Sequence, residues 1–193
     1  MREIVFFVED YAHRAVLGAL VGELLEEAGV RARSRFLNAR GGHGTVAREL
    51  KGFLKELGTD DTFRPDLVVV ATDANCKGLR SRTKELREVT GETSVEVVLA
   101  VPDPHIERWL LVDGAAFKAA LGKGCRAPDE KCERARYKKR LLEAVLGTGI
   151  EPVLGGIEFA EDIVSHMDLD RIRDSSLKEF IKSTRAVLKR WKR

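Results

Sequence analysis

The first half of the chain contains the apolar run Leu67-Val68-Val69-Val70-Ala71, which Thr72-Asp73-Ala74-Asn75 follows at once. Consecutive apolar residues that are mostly β-branched are typical of a strand that is covered on both faces. Pro65 and Asp66 precede the run, and the polar residues after it favour a turn. We therefore predict a buried strand that ends in a polar loop.

Three further segments have the pattern of strands, namely residues 4–8, 30–36 and 95–101. Apolar residues at helical spacing separate them, most clearly in residues 11–28, where Gly29 follows at the position of a C-terminal cap. Strands that alternate with helices form parallel sheets with right-handed crossovers. The sequence therefore predicts an α/β fold with a mainly parallel sheet that is flanked by helices.

After Pro102 the apolar pattern is helical. Helical character is predicted for residues 106–121, 131–146 and 159–169, and a last helix has the capping-box spacing of Ser176 and Glu179. A chain of 193 residues suits one main domain. We predict an α/β core in residues 1–104 and a helical C-terminal extension in residues 105–193 that packs on it.

The composition excludes few partners. A net charge of +3 neither requires nor excludes nucleic acid. The first apolar run is too short to cross a bilayer and ends at Glu9, so no membrane association is expected. The chain has an odd number of cysteines, namely Cys76, Cys125 and Cys132, and none of them has CxxC spacing. We therefore expect neither a disulfide framework nor a zinc site. A cytoplasmic location fits this cysteine usage best.

Polar residues follow three of the predicted strands, where ligands collect in open parallel sheets. Glu9 follows the first strand, the glycine-rich residues 41–44 follow the second, and Asp73 with Asn75 follows the third. Oxygen ligands of this kind suit Mg²⁺ or Mn²⁺. We predict that Glu9, Asp73 and Asn75 hold the ion and that Glu9, Asp73 and Lys77 form the catalytic set.

Basic side chains near these loops could position a phosphate and stabilise its developing charge. They are Arg14, Lys77, Arg80 and Arg82. In the glycine-rich turn, Gly42 and His43 could present backbone N–H groups to phosphate at the start of the next helix. The turn lacks the lysine and the spacing of a P-loop.

Each of these features has a second interpretation. Glu9 can interact with the N-terminus of the next helix, and Asp73 and Asn75 are common turn residues. Residues 41–44 can be a plain tight turn in which His43 is a surface residue. Arg31, Arg33 and Arg35 alternate along the second strand, either as a track for nucleic acid or as a solvated strand face.

Two motifs carry a family resemblance. Val8-Glu9-Asp10 after a strand, with Val70-Ala71-Thr72-Asp73-Ala74-Asn75 later, resembles the Toprim arrangement of a glutamate and a DxD pair. Residues 101–113 contain Glu107-Arg108-Trp109-Leu110-Leu111-Val112-Asp113. This block is similar to the Glu-x-Trp-Leu-Leu-x-Asp block of an uncharacterised Toprim-related family of bacteria and archaea, often found beside ATPases of suspected phage-defence systems.

The resemblance implies a Toprim or Rossmann-like fold and a Mg²⁺-dependent nuclease-like site with Glu9 and Asp73 as ligands and Glu107 nearby, in contact with substrate. Two positions depart from the Toprim pattern, because Asp10 stands where a glycine is usual and Asn75 replaces the second aspartate. The first expected function is therefore a metal-dependent phosphodiesterase or nuclease that acts on nucleic acid, and the resemblance adds an expected role in defence against foreign DNA. The alternative is a catalytically degenerate interaction module that docks an ATPase or associates with itself.

Overall fold

A computed structural model describes residues 1–39, 46–59, 63–91, 93–126 and 128–192. Within these ranges four strands form one sheet, namely β1 (Arg2–Val8), β2 (Ala32–Asn38), β3 (Leu67–Ala71) and β4 (Val97–Ala100). All neighbouring strands are parallel, and their order is β2-β1-β3-β4. The prediction of an α/β fold with a parallel sheet is confirmed.

Helices flank the sheet and make up most of the C-terminal half. They are α1 (Tyr11–Ala28), α2 (Val46–Thr59), α3 (Leu79–Thr90), α4 (Gly114–Leu121), α5 (Arg136–Leu146), α6 (Ala160–Val164) and α7 (Ser175–Trp191), with 3-10 helices at Asn75–Lys77, Ile106–Leu111 and Ile157–Phe159. Helix α1 begins where the Asp10 side chain accepts a hydrogen bond from the His13 backbone N–H. It ends at Gly29, whose φ of 63° is left-handed.

The alternation of side chains along β1 gives each face of the sheet its own apolar cluster. Ile4, Phe6 and Val8 belong to one cluster with residues of α1 and of α4 to α7. Val5 and Phe7 belong to the other, with residues of α2 and α3. The C-terminal helices thus share a core with β1 and α1, and the boundary at residue 104 stays a prediction.

Three details of the C-terminal helices differ from the sequence prediction. Helix α6 ends at Val164 rather than at Leu169. Helix α5 begins at Arg136 rather than at Lys131, after Ala135 in a left-handed conformation with φ 58°. Helix α7 is capped by Asp174, which accepts from the Leu177 N–H, and Ser176 lies inside the first turn. An aspartate before the first turn satisfies a free N–H as well as the predicted serine would.

The count and spacing of the cysteines indicated no disulfide framework, yet two of them form a single disulfide bond. Cys76 and Cys132 are bonded to each other across a separation of 56 residues. Spacing rules detect short cysteine motifs, and they say nothing about a pair that the fold brings together. The cysteines therefore give no support to the cytoplasmic assignment.

No helix in the described part of the chain combines the length and the apolar character that a bilayer crossing needs.

Candidate functional site

The carboxyl ends of β1, β3 and β4 lie side by side because these strands are neighbours and parallel. Each strand is followed by polar residues at that edge of the sheet. They are Glu9 and Asp10 after β1, Thr72 and Asp73 after β3, and His105 and Glu107 after β4. Residues distant in sequence therefore form one cluster, which we call the edge cluster.

Asp73 lies at the centre of the edge cluster and contacts two histidines. Its Oδ1 accepts a hydrogen bond of 2.8 Å from the Ile106 N–H, and its Oδ2 lies 3.1 Å from His105 Nδ1. His13 Nε2 lies 3.2 Å from Asp73 Oδ1, which is close enough for an ion pair, but the two atoms do not have the geometry of a hydrogen bond. His13 Nδ1 lies 2.8 Å from Asp10 Oδ1. The side chains of Asp10, His13, Asp73 and His105 therefore form one continuous chain of contacts.

Carboxylates determine the protonation of the buried His13. Burial opposes its charge, but the charge of Asp73 and the hydrogen bond to Asp10 outweigh it and raise the pKa of His13 to about 10. Burial likewise opposes ionisation of Asp10, yet contact with His13 lowers the pKa of Asp10 to about 2. The pKa of Asp73 is also lowered, because His13 and His105 outweigh its burial. His13 is thus a fixed cation between two carboxylates.

Glu107 is the buried member of the cluster that opens on a cavity. Glu107 is 4% exposed, and its Oε1 lies 3.7 Å from Lys138 Nζ. Burial raises the pKa of Glu107, and the charge of Asp73 raises it further. The cavity has a volume of about 460 Å³ and is mostly apolar. Its lining includes Asp10, Tyr11, Glu107, Lys138, Leu142 and Leu154.

His105 has a raised pKa because it hydrogen-bonds to Asp73, although burial works against the charge. Its Nε2 is enclosed and has no hydrogen-bond partner among the described residues. The His105 ring lies 5.8 Å from the Tyr137 ring, measured between centroids. Asp73 therefore orients this imidazole through Nδ1.

The predicted metal ligands Glu9 and Asp73 lie next to each other, but their oxygens already have partners. Glu9 Oε2 accepts from Thr72 Oγ1 at 2.7 Å and from the Asp73 N–H at 3.4 Å. Asn75, with φ 50°, turns its amide nitrogen to the Asp73 carbonyl at 3.4 Å. In the described part of the chain, no group of at least three His, Cys, Asp or Glu residues is arranged to hold a metal ion. The cation site at Glu9, Asp73 and Asn75 stays a prediction.

The predicted phosphate-binding residues are distributed differently from the expectation. Lys77 and Arg82 both contact Glu85 Oε2 at 2.8 Å, and the buried Arg82 also donates to the Asp73 carbonyl. These two residues therefore brace the loop that carries Asp73. Lys77 is exposed despite its contact with Glu85, and so are Arg80 and Arg14, whose guanidinium lies 5.1 Å from the Phe36 ring centroid.

Gly42 and His43 lie outside the described residues. On β2, the exposed Arg35 lies 3.5 Å from Glu3 and over the Phe63 ring.

No protein-family model, curated protein or solved structure matches this chain. The interpretation of the edge cluster therefore rests on its geometry and on the motifs of the sequence.

Sequence reasoning missed His13, His105 and Lys138 as members of this site. His13 stands three residues after Asp10, a spacing that suits a side chain in the first turn of a helix that Asp10 caps. His105 stands two residues before Glu107, inside the block that the sequence singled out. Either signal could have suggested these residues, but neither indicates that both rings converge on Asp73.

The raised pKa of His13 predicts that stability falls as the pH rises. A group with a pKa of 6.5 when unfolded and about 10 when folded stabilises fully below pH 6.5 and loses that effect between pH 6.5 and 10. The raised pKa values of His105 and Glu107 act in the same direction. We expect urea titrations to show a loss on the order of 3 kcal/mol across this range.

The variant His13→Gln should show a smaller loss of stability with rising pH than the parent protein. His166→Gln is the matched control, because the His166 ring is exposed and lies away from the edge cluster. It should retain the pH dependence of the parent. A parent stability that is constant from pH 6.5 to about pH 9 would contradict the buried imidazolium.

Proposed function

We propose that this chain is a hydrolase of the phosphodiesterase or nuclease type with a Toprim-like fold, and that Glu107 transfers a proton at its site. The observation that carries the proposal is the position of Glu107, a buried carboxyl with a raised pKa on the wall of the cavity beside Lys138. Perturbed carboxyls that face a cavity are typical of catalytic acids. The substrate class comes from the Toprim-like motifs around Glu9, Asp73 and Glu107.

The two carboxyls that line the cavity have opposite pKa shifts. The pKa of Glu107 is raised by burial, whereas that of Asp10 is lowered to about 2. When the pKa values of two neighbouring carboxyls are shifted apart, the one with the raised pKa acts as the proton donor and the other stays ionised. Glu107 would donate its proton to the leaving oxygen, and Asp10 would orient the attacking water. Lys138, whose side chain is 64% exposed, would contact the phosphate.

The rest of the edge cluster supports this role of Glu107. The negative charge of Asp73 is one cause of the raised pKa of Glu107. His13 holds Asp73 in place as a fixed cation, and His105 is held by Asp73 through Nδ1. Asp73 would thus act through its neighbours, as a positioning residue.

The variant Glu107→Gln tests the proposal. We expect it to lose activity on single-stranded and duplex DNA and RNA by about 100-fold or more, because a glutamine cannot donate the catalytic proton. Glu143→Gln is the control, since Glu143 is exposed on α5 and pairs with Lys139 at 3.8 Å. A Glu107→Gln protein that cleaves like the parent would overturn the role of Glu107.

The same assay should be run with Mg²⁺, with Mn²⁺ and with EDTA. Cleavage that requires a divalent ion would support the predicted cation site at Glu9, Asp73 and Asn75. Cleavage in EDTA would indicate that the residues of the edge cluster suffice. A parent protein that cleaves no nucleic acid under any of these conditions would contradict the phosphodiesterase proposal.

A second candidate function is an interaction module that binds an ATPase or a second copy of this chain. It is favoured by the apolar wall of the cavity and by two large side chains on its rim, Tyr11 and Leu154, which are 51% and 52% exposed. Leu154→Asp should then weaken self-association in light scattering or binding of the ATPase. A monomeric parent with robust Glu107-dependent cleavage would argue against this candidate.

A further inference from the structure

The disulfide joins the loop after β3, which carries Asp73, to a segment that has no helix or strand of its own. Cys76 lies three residues after Asp73, in the 3-10 helix Asn75–Lys77. Cys132 lies in residues 128–135, which we call the strap, and the two Cα atoms are 5.3 Å apart. Cys76 and Cys132 are both exposed, so a reductant in solution can reach the bond.

Side chains, rather than a backbone ladder, hold the strap in place. The Asp129 carbonyl accepts hydrogen bonds from Arg108 Nε at 3.1 Å and from the Tyr137 hydroxyl at 2.8 Å. The same hydroxyl lies 2.9 Å from the Lys131 carbonyl, so its single proton is shared between the two carbonyls. The disulfide adds the covalent contact of the strap with the loop after β3. Reduction would therefore remove the covalent contact of the strap and leave its hydrogen bonds in place.

The third cysteine does not compete with this pair. Cys125 is half-buried, and its Sγ lies 3.7 Å from the Leu111 carbonyl. Burial raises the pKa of Cys125 to about 11, so little thiolate forms there near neutral pH.

We propose that the bond between Cys76 and Cys132 is a site of thiol–disulfide exchange with dithiol reductants, and that its reduction frees the strap from the loop that carries Asp73. The inference does not depend on the proposed function. One thiolate of the dithiol attacks a sulfur of the bond and forms a mixed disulfide, and the second thiol then displaces the protein sulfur. The protein gains two thiols, and the dithiol becomes a disulfide.

Reduction should change the strap and the loop after β3, while the sheet stays intact. Amide exchange followed by mass spectrometry should become faster in residues 128–135 and 74–78 after treatment with dithiothreitol, and it should stay unchanged in β1 and β3. Loss of a cross-link that closes a loop of this length should lower the Tm by about 10 °C.

Serine variants identify the bond that responds. Cys76→Ser and Cys132→Ser should each show the exchange pattern and the Tm of the reduced parent, with or without dithiothreitol. Cys125→Ser is the control, and it should respond to dithiothreitol as the parent does. Titration of the parent with oxidised and reduced dithiothreitol should give one two-electron transition.

A count of thiols makes the test independent of the variants. The air-purified protein, unfolded and alkylated, should gain one alkyl group before reduction and three after it, as its mass will record. Three free thiols before reduction would overturn the proposal. It would also fail if dithiothreitol altered the strap of Cys76→Ser as much as that of the parent.

Discussion

Replacement of Arg108 by methionine should lower the free energy of unfolding by about 3–5 kcal/mol. Arg108 Nη1 forms an ion pair with Asp174 Oδ2, and the two side chains are only 7% and 3% exposed. Arg108 also donates to the carbonyls of Asp103 and Asp129, at 3.3 Å and 3.1 Å. Without the guanidinium, a buried carboxylate and two carbonyls would lose a donor, and burial of an uncompensated charge is costly.

The control for this change is Arg171→Met. Arg171 pairs with Asp168 at 3.3 Å, but its side chain is 88% exposed, so its loss should cost less than about 1 kcal/mol. The double variant Arg108→Met with Asp174→Asn should recover part of the loss, because asparagine removes the uncompensated buried charge and can still cap α7. An Arg108→Met protein within about 1 kcal/mol of the parent in urea unfolding would contradict the role of this pair.

Replacement of Trp109 by alanine should cost a similar amount, about 3–5 kcal/mol. Trp109 has no exposed surface, and its ring centroid lies 5.6 Å from that of Phe180 on α7. Its Nε1 donates to Ser176 Oγ at 2.8 Å. Alanine would leave a cavity between the sheet and α7 and would remove that hydrogen bond, so the attachment of the last helix should weaken most.

Trp191→Ala provides the comparison for the same type of residue. Trp191 is half-buried at the end of α7, where the Arg2 guanidinium lies 5.4 Å from its ring centroid. Its loss should cost about 1 kcal/mol. Unfolding followed by circular dichroism avoids a signal from the tryptophans themselves. Equal losses for the two variants would show that Trp109 does not anchor α7.

Local patterns determine the parts of the fold that the sequence predicts well. The apolar run Leu67–Ala71 is completely buried, and α1 ends at Gly29 as its spacing indicates. These features depend on residues that are near each other in the chain. The start of α5 was predicted five residues too early, because charged residues near Cys132 fit a helix in isolation while the disulfide and the contacts of Asp129 hold them in another conformation.

The edge cluster could be predicted only in part for the same reason. The rule for parallel sheets identifies the loops that carry Glu9 and Asp73, and the resemblance adds Glu107. Neither source indicates that His13 and His105 would occupy both oxygens of Asp73. Those contacts depend on the rotation of α1 and on the path after β4, which are set by packing across the whole core.

The arginines of β2 have a consequence for how the molecule behaves in concentrated solution. Strand β2 is at one edge of the sheet, and Arg33 and Arg35 extend from it as exposed residues. A second molecule that approached this edge to add a strand would bring its own cations close to these, and the repulsion would oppose pairing. The charges that keep this strand solvated thus also oppose aggregation at this end of the sheet.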